Sequence, residues 1–69
     1  MTKFTVDVER EEDGRWIAEI ESLPGVLAYG QDRSEAVARA QALALRVLAD
    51  RLDHGEAIPD IGNVFAVTP

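Results

Sequence analysis

The segment Leu23-Pro24-Gly25-Val26-Leu27-Ala28-Tyr29-Gly30-Gln31-Asp32-Arg33-Ser34-Glu35-Ala36 leaves this chain few ways to fold. Pro24 pre-sets φ for the second position of a tight turn, and Gly25 supplies the positive φ that a type II turn needs next. Asp32 is placed to cap a helix, and Glu35 three residues on completes a box-like start. A turn, a short strand, a cap and the first helical residues therefore follow one another with no slack. An alternating run precedes this segment and a long Ala/Leu run follows it.

Phe4, Val6 and Val8 alternate with Thr5, Asp7 and Glu9, the period-two signature of a half-buried strand. Trp16, Ala18 and Ile20 alternate with Ile17, Glu19 and Glu21 and predict a second strand. Glu11-Glu12-Asp13-Gly14 between them carries an Asp-Gly hairpin signal. A third strand is expected at about Val26 to Gly30. From Arg33 to about His54 the chain reads as helix, because Ala36, Ala40, Leu43, Val47 and Leu48 recur at helical spacing. Val37 and Ala44 lie beside them, and Ala and Leu are strong helix formers. Glu35 and Arg39 make an i,i+4 pair of favourable orientation. Gly55 is placed as a C-cap, and Pro59 prevents any return to helix. Asn63-Val64-Phe65-Ala66-Val67-Thr68 reads as a fourth strand with apolar residues on both faces.

The expected fold is α+β, in the order β-β-β-α-β, with a single long helix packed on one face of a mostly antiparallel sheet. One domain spans residues 1–69. A chain this short buries a limited core, so self-association is the expected staple. The sequence holds no cysteine and a single histidine, which removes disulfides, thiolate metal sites and a multi-histidine zinc site within one chain. The net charge of −6 argues against unaided nucleic-acid binding and fits a basic partner or plain solubility. No apolar run reaches the roughly 18 residues of a membrane span, and residues 1–7 lack the apolar stretch of a signal peptide. A cytoplasmic location is the expectation.

Taken in order, these elements resemble the HicB family of bacterial antitoxins. A typical member runs from an acidic hairpin with Gly to Leu-Pro-Gly, then to Gly-Asp-Thr/Ser-x-Glu-Glu-Ala, and on through a helix ending near Ile-Pro. Here the pieces stand as Glu12-Asp13-Gly14, Leu23-Pro24-Gly25, Gly30-Gln31-Asp32-Arg33-Ser34-Glu35-Ala36 and Ile58-Pro59. The resemblance implies a cut-down ribonuclease-H-like sheet with strand order 3-2-1-4. It also implies a partner: a small basic toxin of HicA type that cleaves RNA and is silenced when the antitoxin covers it. Many HicB proteins carry a C-terminal DNA-binding module. The present sequence reaches Pro69 without one, so it resembles the short, stand-alone type, and operator binding is not expected. A solitary homo-oligomeric interaction domain without a toxin is the alternative.

Two surfaces are candidates for contact. In strand three, small residues at 28 and 30 would let the helix lie close, which sends Leu27 and Tyr29 to the open face beside Ile17. Glu19, Glu21 and Asp7 would then rim an apolar docking patch. In the reversed phase Leu27 and Tyr29 are core instead. The second surface is the helix line Leu45, Ala49 and Leu52, read either as part of a wide core stripe or as a self-association face. Val64, Phe65 and Val67 of the expected fourth strand join it as candidate interface residues.

No catalytic machinery, cofactor or metal site is expected, and the chain is read as a non-enzyme. Asp7, Glu9, Glu19 and Glu21 share the polar alternation of the first two strands and can cluster on one face. A metal-dependent nuclease would also need positive charge to hold its substrate, and Lys and Arg number only 7. A solvated outer sheet face is the simpler reading of these acids. His54, at the helix end, is read as a surface capping residue, Ser34 as a helix-start residue, and Ser22 has no visible base. Trp16 is read as a core anchor in phase with Ala18 and Ile20.

Overall fold

The computed structural model describes residues 4–58. Three strands, β1 (Asp7–Arg10), β2 (Trp16–Glu19) and β3 (Leu27–Gly30), precede one helix, α1 (Arg33–Asp53). The strands form an antiparallel sheet in the order β1-β2-β3, and α1 covers one face. The fold is α+β, with the first three strands in the expected spatial order. The expected fourth strand, with Val64, Phe65 and Val67, lies outside the described residues.

The hairpin between β1 and β2 closes on Glu11 N donating to Arg15 O at 2.7 Å, and Gly14 N donating to Glu11 O at 3.0 Å. This is a three-residue loop with glycine at its left-handed position, a common way to join short strands. The ladder then sets Asp7 opposite Glu19, Val8 opposite Ala18 and Arg10 opposite Trp16. Phe4 and Val6 keep the alternating burial of β1 but fall outside the ladder. Their partners would be Ser22 and Ile20, where the chain already turns towards β3. In that turn Val26 N donates to Leu23 O at 3.0 Å, and Gly25 takes φ +88°. Pro24 and Gly25 thus occupy the two central positions of a type II turn, as the sequence predicts.

Asp32 caps α1, its carboxylate accepting from Glu35 N at 2.8 Å. Glu35 reaches back to accept from Gln31 N at 2.9 Å, one residue earlier than in a standard capping box. At the other end His54 is the cap residue, and Gly55 turns with φ +76°. Gly55 N donates to Leu52 O and Glu56 N to Arg51 O, the paired bonds of a Schellman motif. The N-cap is the residue expected; the C-cap is His54, one residue before the Gly55 expected there, and Gly55 follows it as the left-handed residue of the stop.

Along α1, Ala36, Ala40, Ala44 and Leu48 form the buried line, one per turn. The N-terminal half packs Ala36 and Ala40 on Ala18, with Val8, Trp16 and Ala28 around them. The C-terminal half packs Ala44 and Leu48 against Ile20, Leu23, Val26 and Ile58, with Phe4, Val6, Leu43 and Val47 alongside. Small residues on both sides bring helix and sheet close together. The closest point is Gly30. A Cβ there would lie against the Ala36 backbone nitrogen and 2.9 Å from Ala36 Cα. The last residue of β3 must therefore be glycine for steric reasons, without any unusual φ.

Trp16 is half-buried and packs at the edge of the alanine cluster, in the phase predicted for it. The reading of Leu45, Ala49 and Leu52 as part of a wide core stripe is corrected. All three are exposed, Leu45 at 68% and Leu52 at 46%. They sit on the far side of the helix from the sheet, because Ala36, Ala40, Ala44 and Leu48 already fill the space above it.

Candidate functional site

The phase of β3 decides which surface the molecule presents. Val26 and Gly30 are buried and Ala28 half-buried under the helix, while Leu27 and Tyr29 are each 39% exposed on the opposite face. The physical reason is the close approach of α1, which tolerates only small side chains at 28 and 30. Of the two phases open in the sequence, the one with Leu27 and Tyr29 on the open face is the one observed.

The strand registers then align the open face in two rows. Glu9, Ile17 and Tyr29 stand side by side across the three strands, and Asp7, Glu19 and Leu27 form the next row. Ile17 is half-buried between its neighbours. The apolar residues thus occupy the β2–β3 side, and the carboxylates line the β1 side. A shallow groove runs along that acidic side, lined by Asp7, Glu9, Glu11, Ile17, Glu19 and Glu21. Asp7, Glu9, Glu19 and Glu21 are all exposed, so their charge is solvated and projects outward.

Tyr29 is held at both its ring and its backbone. The Arg15 guanidinium carbon lies 4.6 Å from the ring centre, a cation–π distance. Arg15 Nε donates to Asp13 Oδ2 at 2.7 Å, and Arg15 N donates to Asp13 Oδ1 at 3.1 Å. The backbone hydrogen bond from Arg15, followed by its side-chain bond, holds the Asp13 carboxyl below the usual aspartate range. On the other side, Arg39 Nη1 donates to the Tyr29 carbonyl at 3.2 Å and pairs with Glu35 at 3.5 Å. The helix start, the end of β3 and the hairpin tip are thereby tied around one aromatic residue.

Sequence reasoning placed Ile17, Glu19, Glu21, Leu27 and Tyr29 together, and the sheet gathers them on or beside one face. The acidic alternation also placed Asp7 and Glu9 on that face; what it missed is Glu11 as further acidic lining and Arg15 as the partner of the Tyr29 ring. Arg15 carried no signal, because its meeting with Tyr29 depends on how two strands pair.

Among the described residues, no three acidic or histidine side chains stand close enough together to hold a metal ion. His54 lies apart from the sheet's open face; its Nδ1 donates to the Asp50 carbonyl at 2.8 Å, a local cap contact. No described helix is long and apolar enough to cross a membrane. Chemically, the open face offers an apolar centre, an aromatic anchor and a negative margin. Among the described residues, that face has the makeup of a contact surface.

Comparison with known proteins gives one relative to weigh beside this geometry. The chain is similar to UPF0150 protein Ta0767 of Thermoplasma acidophilum, 28% identical over 57 residues that make up 83% of this chain and 83% of the relative. No family model matches the chain, and no solved structure matches it.

Proposed function

We propose that this chain is an antitoxin-type protein that binds and neutralises a small basic, RNA-cleaving toxin of HicA type through the open face of its sheet. The observation that carries the proposal is the alignment of Ile17, Leu27 and Tyr29 beside Asp7, Glu9, Glu19 and Glu21. A patch with an apolar centre and a polar margin has the anatomy of a protein interface. Its negative margin suits a positively charged partner, attracting it over distance and orienting it on approach. The net charge of −6 acts in the same direction. The order of acidic hairpin, Leu-Pro-Gly turn and capped helix, which resembles HicB proteins, supplies the identity of the partner.

In this mechanism the antitoxin performs no chemistry. It occupies the surface with which the toxin grips RNA, and carboxylates stand where phosphates would otherwise lie. Tyr29, held by Arg15 and Arg39, enters the contact with little conformational freedom left to lose.

The test is co-expression with a small basic protein encoded beside this gene, followed by co-purification. The expected result is relief of growth arrest and a stable complex that protects RNA from cleavage. Failure to relieve the arrest overturns the proposal. So does the absence of such a neighbour combined with pull-downs that recover this protein alone. The solitary interaction domain would then be the better account.

A further inference from the structure

The outer face of α1 is apolar, although the sheet has already been covered by its inner face. Ala38, Ala42, Leu45, Ala49 and Leu52 follow one another at alternating steps of four and three residues. At about 100° per residue they make one straight stripe on the side opposite Ala36, Ala40 and Ala44. Ala38, Leu45, Ala49 and Leu52 are exposed, and Ala42 is half-buried. A surface helix ordinarily puts charge there. The spacing is instead that of a heptad seam, with Ala42 and Ala49 at one core position and Ala38, Leu45 and Leu52 at the other.

We infer that this stripe seats a second copy of the same chain, helix against helix and antiparallel. The charges beside the stripe choose the occupant and its direction. Arg39, Arg46 and Asp53 flank one edge at seven-residue steps. In an antiparallel pair related by a two-fold axis between Leu45 and Ala49, Arg39 of each copy meets Asp53 of the other. The two Arg46 side chains lie near the axis, each with Asp50 of its own helix one turn away. A parallel pair would bring this edge against the other edge of its partner, at Ser34, Gln41 and Leu48, and offers Arg39 and Asp53 no opposite charge. The same axis seats Leu52 of one copy on Ala42 of the other and Leu45 on Ala49, large against small, so the backbones approach closely.

The chain's own core supplies the need. Of the nine apolar residues buried among the described ones, Ala18, Ala36, Ala40 and Ala44 are alanine, and Leu23 and Val26 are the largest of the described side chains buried completely. Such a core stabilises a short domain weakly, and burying Leu45 and Leu52 adds apolar area that the monomer leaves in water. The stripe and the open face of the sheet lie on opposite sides of the molecule. A helix-paired dimer therefore leaves the open sheet face of each copy free to dock, and the inference stands independently of the partner proposed above.

Sedimentation equilibrium of the purified full chain tests it. The expected result is a dimer whose dissociation constant rises at least about tenfold in Leu45→Glu, as for a central interface residue, with an unchanged circular dichroism spectrum. The native chain contains no cysteine, so introduced thiols report the direction cleanly. An oxidised mixture of Ala42→Cys and Leu52→Cys proteins should form the mixed disulfide, while each protein alone should not, since its own thiols lie too far apart across the axis. A monomer at all concentrations overturns the inference, as does a dimer insensitive to Leu45→Glu. Efficient cross-linking of each cysteine variant with itself overturns the antiparallel arrangement.

Discussion

The Arg15 guanidinium carbon stands 4.6 Å above the centre of the Tyr29 ring. Arg15 immediately precedes β2 and Tyr29 lies in β3, fourteen positions on; they meet because β2 and β3 pair with Trp16 opposite Gly30 and Ile17 opposite Tyr29. The contact places a cation at the end of a face that is otherwise acidic. It also turns Tyr29 from an isolated aromatic into a fixed one, since Asp13 holds Arg15 from behind.

Tyr29→Ala should weaken binding of a basic partner by about 2 kcal/mol or more while leaving the fold intact, as truncation of a buried interface aromatic commonly does. Titration calorimetry together with circular dichroism separates the two effects. Joint replacement of Glu19 and Glu21 by Gln should act differently, slowing association more than it speeds dissociation. That loss should shrink at high salt, where steering is screened. A salt-independent change in dissociation rate would contradict the steering role.

Gly30→Ala should cost roughly 2 to 3 kcal/mol, because the new methyl group meets helix backbone, which cannot move aside as a side chain can. Urea unfolding measures it. Gly25→Ala makes a useful contrast. Nothing lies within 4 Å of its added Cβ, so its cost should be only about 1 kcal/mol, set by the positive φ alone.

Asp32→Ala should cost about 1 kcal/mol, through loss of the carboxylate that accepts from Glu35 N. Asp32→Asn should recover most of this, since the amide oxygen can accept the same bond. Equal losses in both variants would show that the charge, through the helix dipole, matters more than the cap.

Asp13 gives the pH dependence. Its carboxyl is held below the usual aspartate range by hydrogen bonds from Arg15. A depressed folded-state value means that the unfolded chain takes up the proton first. The stabilising contribution is therefore complete above the ordinary aspartate value, and it is lost as pH falls through the depressed one. Carbon-detected NMR titration should find Asp13 below the ordinary range in the native chain, and closer to it in Arg15→Ala, which removes the side-chain donor but keeps the backbone one. Because the group is exposed, the effect on stability should be small.

Much of the local structure could be read directly from residue types. The Pro24-Gly25 turn, the Asp32 cap, the Gly55 stop and the hairpin at Asp13-Gly14 each rest on an interaction between near neighbours. Such contacts are written into a few consecutive residues. The alternation of β1 and β2 likewise showed which of their residues face the helix, since a sheet face follows from period two once one side is apolar. The strand ends were less legible: Phe4 and Val6 alternate like a strand, yet the chain opposite them turns away at Ile20.

The sequence by itself thus determined the order β-β-β-α, the caps and turns, and the small residues that would meet the helix. Tertiary structure decided three further matters. It chose the phase of β3, because only the close passage of α1 over Gly30 shows that Ala28 points inward and that Leu27 and Tyr29 remain outside. It set Arg15 on Tyr29, a meeting governed by strand register. It also left Leu45, Ala49 and Leu52 uncovered, although a helix with apolar residues on both sides reads the same whether its second side meets the core or another molecule. Periodicity records how side chains are arranged around their own element; which neighbour each side receives depends on the space that the rest of the chain has already filled.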